Sequence, residues 1–275
     1  MIQRRNWTLS AYSGEVIDIM EFLTQEIGGL ALWHWLANMT AIMGAAFMRS
    51  FTGFGFAMIA VPVLGLVMPP QEVVPIILTL EIVTGLQLTP AAWPVANRPA
   101  LKGMVIGSVL LVAPGVYVLG SITDDQMRLL LVAVLALSII LFGWSAKRAN
   151  TDQQPGGAGS VVAGAGGGFM AGLSGIPGPP VLSYLLGTNL TPDVQRATLL
   201  VYFFFIDFLA VAGQFIAGAD ITSTVTRAAV FLPVLIIGNI IGTRTFNKYG
   251  EGNYKPITFG LLLIIGAGLL WRALA

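Results

Sequence analysis

Thr52-Gly53-Phe54-Gly55 and Ser174-Gly175-Ile176-Pro177-Gly178-Pro179-Pro180 interrupt two otherwise apolar runs, and the rest of the chain is best read outward from them. Gly53 and Gly175 stand 122 residues apart in a chain of 275. A proline turn follows each break at a matching distance, Pro69-Pro70 after the first and Thr191-Pro192 after the second. Backbone that cannot stay helical in hydrocarbon leaves N–H and C=O groups unpaired, which is tolerated only where protein or a wet cavity satisfies them. Breaks at corresponding positions of two halves point to a binding site between structural repeats.

Composition places those breaks in a membrane. Hydrophobic residues make up 56% of the chain and Asp, Glu, Lys and Arg only 10%, where a soluble domain carries roughly 25% charged residues. The apolar runs are helical in length rather than the short alternating segments of a barrel. The expected fold class is therefore an all-α polytopic membrane protein. A net charge of +1 argues against nucleic acid as a partner. With no cysteine there is no disulfide or thiolate metal site, and no cofactor is expected. Arg4 and Arg5 lead into polar sequence, so no cleavable signal is expected.

Ten apolar segments are predicted. Those of the first half are Leu30–Arg49, Gly55–Met68, Val73–Trp93, Gly103–Leu119 and Gln126–Trp144. Those of the second are Val161–Leu173, Pro180–Leu186, Val194–Ala217, Ala228–Gly242 and Pro256–Leu274. The chain thus divides into an amphipathic or interfacial segment (1–27), a first repeat (28–146), a polar linker (147–160) and a second repeat (161–275). Glu15–Ile27 is expected to form a helix with Val16, Ile19, Met20, Leu23 and Ile27 on one face. Pro114-Gly115 with Gly120 is echoed by Gly238 with Gly242, again at nearly the same offset.

Basic residues accumulate in cytoplasmic loops. Arg98 and Lys102, then Lys147 and Arg148, then Arg244, Lys248 and Lys255 mark three such loops; Glu72, Asp124-Asp125 and Asp220 belong outside. Five segments per half is an odd number, so the second repeat should be inverted, with its proline turn on the opposite side from that of the first. Arg4 and Arg5 fall on the wrong side of this scheme. Segments two, six and seven are short, and loop charges do not distinguish a re-entrant hairpin from two full crossings.

Candidate binding residues gather at the breaks. Helix-start N–H groups make an anion site without side-chain charge, and Gly53, Gly55, Gly175 and Gly178 would let an oxyanion approach the backbone. Ser50, Thr52 and Ser174 could add hydroxyl donors, and Arg49 and Arg196 a planar fork suited to oxyanions. The alternative is that the glycines serve helix packing and that Arg196 anchors at the interface. Glu81 and Asp207 lie near the middle of corresponding segments, where a carboxylate pairs, protonates or faces water. One reading is proton coupling; the other is an ion pair with Arg49 or Arg196.

His34, between Trp33 and Trp35, reads as part of an interfacial aromatic belt. Tyr202-Phe203-Phe204-Phe205 surrounds its helix, so most of its rings must face packing partners or lipid. Gly172-Leu173-Ser174-Gly175 resembles the motif of rhomboid proteases, but no histidine follows to activate Ser174 as an intramembrane hydrolase. Glu81 and Asp207 could instead serve a divalent-metal or other cation carrier, though without the usual His and Cys clustering. No GxxxxGK[ST] motif is present for ATP-driven pumping.

The paired breaks, Gly53-Phe54-Gly55 with Val61-Pro62 and Gly175-Ile176-Pro177-Gly178-Pro179-Pro180, resemble those of the sulfite exporter TauE/SafE family, also called toluene-sulfonate uptake permeases. The resemblance runs from Leu30 to the C-terminus. Phe56, Ala57, Pro179 and Pro180 stand where further glycines are common in that family. What it implies is secondary transport of sulfite or an organosulfonate across a bacterial cytoplasmic membrane, not enzymatic chemistry. The expected partners are a small anion and the lipid bilayer, with a homodimer left open.

Overall fold

The structure is a computed structural model that describes residues 26–27, 30–65, 67–123 and 154–274, with scattered helical positions between 126 and 140; for 250–274 it describes the backbone alone. Two short strands, β1 (Glu26–Ile27) and β2 (Leu30–Ala31), pair antiparallel ahead of the first helix. Glu26 and Ile27, expected at the end of the amphipathic helix, thus pair with Ala31 and Leu30 instead. The rest of that helix, the linker from 147 to 153 and most of the fifth segment lie outside the described residues.

Eight helices with described bounds follow: α1 (Leu32–Thr52), α2 (Phe56–Leu64), α3 (Pro70–Ala92), α4 (Arg98–Ser121), α5 (Gly157–Ser174), α6 (Gly178–Leu186), α7 (Pro192–Ile216) and α8 (Ile221–Leu274). The ends of α1 and α5, both ends of α2 and α6 and the starts of α3 and α7 repeat at the same 122-residue offset as the glycine breaks. Proline opens α3 and α7, where its missing N–H is an orphan in any case. Asn97 caps α4 by accepting from the Ala100 N–H at 3.0 Å. Among the described residues, four stretches are long and apolar enough to cross a membrane: α3, α4, α7 and Ile221–Tyr249 of α8.

Two expectations change. α5 begins at Gly157, so the end of the proposed linker is already helical. The ninth and tenth segments are one continuous helix of 54 residues. At 1.5 Å per residue it is about 80 Å long, far beyond the roughly 30 Å hydrocarbon core. The polar stretch around Arg244 and Lys248 can therefore leave the apolar zone without unwinding, because charge ends a membrane crossing but not a helix.

Contacts fix the helix directions. Glu72 meets Arg227 and Thr84 meets Asn239, so α3 and α8 run parallel. Gly238 sits against Met43 and Ala46, and Gly242 against Phe47 and Ser50, so α1 runs with α8 too. In the other half Gly164 meets Met104, Gly168 meets Ser108 and Gly172 meets Val112, which makes α4 and α5 parallel. Ser108 reaches Tyr202 and Val116 reaches Gly213, which adds α7 to that group. The two groups oppose each other. The Asn97 N–H at the end of the α3–α4 turn donates to Thr198 near the start of α7 at 2.9 Å, while Gly85 abuts Phe204. α3 and α7 are therefore antiparallel, and Pro70 and Pro192 lie at opposite ends.

α2 and α6 have nine residues each, about 13 Å of helix, which is less than half a crossing. α2 starts level with Glu81, whose carboxylate accepts from the Ala57 N–H at 3.2 Å. It ends a few residues before Pro70, so it runs back alongside the first half of α3. The first break is thus the tip of a hairpin made by α1 and α2. α5 and α6 repeat this arrangement, with Gly178 at the start of α6 facing Phe203 in the middle of α7. At the tips Gly53, Gly55 and Gly175 have φ of 88°, 95° and 69°, left-handed backbone that a side chain would strain.

Candidate functional site

The two hairpin tips meet. Gly55, Ala57 and Met58 from the first and Ile176, Pro177 and Gly178 from the second line one cavity, which Arg49, Glu81 and Phe203 close. Its volume is about 10 Å³, room for about one water molecule. In this conformation the site is too small for a four-atom oxyanion.

Arg49 organises the cavity from the last turn of α1. Its side chain and those of Glu81 and Asp207 are 2%, 2% and 0% exposed. Nη1 donates to Glu81 Oε2 at 2.5 Å, Nη2 donates to Asp207 Oδ2 at 3.4 Å, and the guanidinium lies 5.0 Å from the Phe203 ring centre. Three charged side chains from α1, α3 and α7 thus share one buried point. A lone ion there would cost several kcal/mol; the triad and the cation–π contact offset that cost. Two polar atoms stay unpartnered, Arg49 Nε and Asp207 Oδ1. Glu81 is the most committed member. One oxygen takes Arg49, and the other takes the Ala57 N–H at the N-terminus of α2, the end of a helix that favours an anion.

The other residues singled out in the sequence divide by what holds them. The Gly53 N–H donates to the Arg49 carbonyl at 2.7 Å and the Gly175 N–H to that of Ala171 at 2.9 Å. Both close the preceding helix and do not face the cavity as donors. Thr52 Oγ1 donates to the Met48 and Phe54 carbonyls, shaping the tip, and Ser174 Oγ donates to the Met170 carbonyl one turn back. Ser50 Oγ donates to Asn239 Oδ1 at 2.8 Å, and Asn239 in turn donates to Thr84 and Gln87, joining α1, α3 and α8. Arg196 stands apart from Arg49. Its Nε donates to the Ser50 carbonyl at 3.0 Å and its guanidinium covers the Phe246 ring at 3.9 Å, while its backbone packs on Gly53.

Sequence reasoning missed three participants. Ala57 contributes only a backbone N–H, which no residue type signals. Phe203 was one of four adjacent rings with nothing to mark it. Asn239 carried a usable signal, since it is the sole amide in the apolar run Val234–Ile241.

A helical membrane protein whose broken helices converge on a buried charged cavity belongs to the class of transporters built around half-helices. The family follows directly: the model of the sulfite exporter TauE/SafE family matches residues 39–269, and the chain belongs to that family. It is also similar to the "Probable sulfite/organosulfonate exporter TauE" of Cupriavidus necator, 26% identical over 247 residues that cover 87% of this chain and 95% of that protein. No solved structure matches the chain.

Proposed function

We propose that this protein exports sulfite or an organosulfonate across a bacterial cytoplasmic membrane by alternating access. The observation that carries the reading is the meeting of both hairpin tips at a cavity closed by Arg49. The substrate's oxygens would be held by that guanidinium and by donors at the starts of α2 and α6. Pro179 and Pro180 have no N–H, so Gly178 is the donor available in the first three residues of α6. Export matches the name of the Cupriavidus necator relative. A cation carrier fits less well, because a guanidinium already occupies the space between Glu81 and Asp207.

The architecture behind the cycle would be two inverted repeats. Corresponding helices that share a repeat axis along the membrane normal run parallel; α3 and α7 correspond and are antiparallel, as an axis in the membrane plane requires. The basic loops then place Pro70 outside and Pro192 inside, and rocking one repeat against the other would expose the cavity to each side in turn. Proteoliposomes loaded with sulfite or toluene-sulfonate provide the test. The expected result is saturable flux of at least one of them, absent from protein-free vesicles. Flux of nickel or cobalt with neither anion moving would replace the anion reading by the cation one.

One contact has the position of an outer latch. Arg227 near the start of α8 pairs with Glu72 at the start of α3, with both side chains nearly half exposed. The position that corresponds to Glu72 at the 122-residue offset, Val194, carries no charge. Such an exposed pair contributes only about 0–1 kcal/mol, enough to bias two conformations without locking them. Because the chain has no cysteine, Met68→Cys beside this pair gives a single reporter. Adding Glu72→Gln is expected to speed its labelling by an impermeant thiol reagent several-fold from outside. An unchanged rate would remove the latch.

A further inference from the structure

Glu81 sits where the transported anion has to go. It lines the cavity, holds the Arg49 Nη1 group at 2.5 Å and takes the Ala57 N–H that opens α2 at 3.2 Å. Those are the donors an incoming oxyanion needs. We propose that the Glu81 carboxylate is an internal stand-in for the substrate, and that an oxyanion enters only as Glu81 takes up a proton and releases both donors. The inference rests on the anion-transport reading and adds to it a stoichiometry and a residue.

The charge balance is what demands the proton. Around Arg49 stand two carboxyl groups, Glu81 and Asp207, in a site almost wholly removed from water. Placing an ionised sulfonate beside an ionised Glu81 would add a like charge at contact distance in a low dielectric, where such repulsion is strong. Exchanging the Glu81 charge for that of the ligand leaves the total unchanged. The proton goes to a Glu81 oxygen, the two donors turn to the ligand, and no covalent bond changes otherwise. Asp207 does not fill this role, because it does not line the cavity and holds only the longer 3.4 Å contact to Arg49. Its unpartnered Oδ1 and the unpartnered Arg49 Nε show that the triad is not saturated, so the guanidinium can turn towards a ligand without leaving Asp207. Among the described residues, Arg49 of α1 holds Glu81, and Asp207 of α7 shares that guanidinium. The other charged or titratable groups on α1, α3 and α7 are His34, Glu72, Asp193, Arg196 and Tyr202. Of these, Glu72 pairs with Arg227 of α8, Arg196 donates to the Ser50 carbonyl and Tyr202 is engaged with Ser108, while α2 contributes only its N–H.

The experiment is calorimetric titration of the purified full-length protein in buffers of different ionisation enthalpy. The probes are methanesulfonate, ionised throughout the working range, and sulfite, with its own protonation subtracted. The wild-type protein is expected to take up close to one proton per ligand bound. By linkage its affinity then falls about tenfold per pH unit wherever that proton is taken up on binding. Glu81→Gln, which keeps the shape and presents a neutral acceptor, is expected to bind without proton uptake and with an affinity flat in pH. Asp207→Asn is expected to keep the uptake.

Ligand binding by wild-type protein with no proton uptake overturns the stand-in role while leaving the anion reading intact, and this result needs no variant to fold. Uptake that persists in a folded Glu81→Gln protein also overturns it. If neither anion binds the wild-type protein, the anion reading itself fails, and this inference with it.

Discussion

Arg49→Ala is expected to abolish anion flux and to cost about 3–5 kcal/mol of stability, the range for removing one partner of a buried ion pair. The size follows from what remains. Glu81 would keep only the Ala57 N–H and Asp207 would lose its contact to Arg49 Nη2, leaving two carboxyls facing each other in a buried site. Arg49→Lys should lose less stability, since the positive charge survives. One ammonium lacks the planar fork, however, and cannot reproduce two directed contacts together with the stack on Phe203; its flux is expected to fall at least tenfold. The decisive variant removes the whole triad. Replacing a buried ionic cluster by apolar residues of similar volume is often neutral or stabilising, so Arg49→Met with Glu81→Leu and Asp207→Leu should recover much of the melting temperature lost in Arg49→Ala. It should recover no flux. A single Arg49→Ala variant that transports sulfite at the wild-type rate would show the triad to be structural only, whatever its effect on melting.

That triad also marks the limit of what could be read from the chain. Glu81 and Asp207 announce themselves, because a carboxylate in an apolar run needs a reason. Their common partner does not. Arg196 shares a helix with Asp207 but stands about three turns away and cannot touch it. That Arg49 reaches both carboxylates depends on α1 and α3 running parallel while α7 opposes α3, which no single run of residues encodes. The 122-residue offset was legible because glycine and proline punctuate backbone locally, and the helix ends repeat it. Which N–H groups stay available was not. Gly53 and Gly175 look like donors in sequence, but a glycine that closes a helix in the left-handed conformation spends its N–H on that helix's last carbonyls. The continuous α8 escaped for the opposite reason. Hydropathy reports where a helix leaves the apolar zone, and Arg244 and Lys248 end the crossing while the backbone hydrogen bonds run on.

Glycine substitutions along α4 and α5 are expected to have the other large effect, sharply divided by position. A Cβ at Gly107 would lie 2.0 Å from the Val161 carbonyl oxygen, one at Gly164 2.0 Å from that of Met104, and one at Gly115 2.2 Å from that of Phe169. These neighbours are backbone, so no rotamer change relieves the clash and the two helices must separate. In the bilayer, close approach through small residues is itself a main source of helix association, and parting the helices forfeits it along their length. Gly107→Ala is expected to cost about 1–3 kcal/mol, the range for overpacking, and Gly107→Leu with Gly164→Leu to leave no folded protein after extraction. Gly44 and Gly120 supply the control, since nothing stands within 4 Å of a Cβ built at either. Gly44→Ala and Gly120→Ala should melt at or slightly above the wild-type temperature, because alanine is the better helix former. The comparison also bears on transport. α5 leads into the second hairpin tip and α4 is its packing partner, so a variant that still folds with the two helices spread moves Ile176 and Pro177 away from Arg49. Gly107→Ala should therefore lose flux out of proportion to its lost stability, whereas a melting temperature equal to that of Gly120→Ala would mean that the close α4–α5 contact does not exist in the membrane.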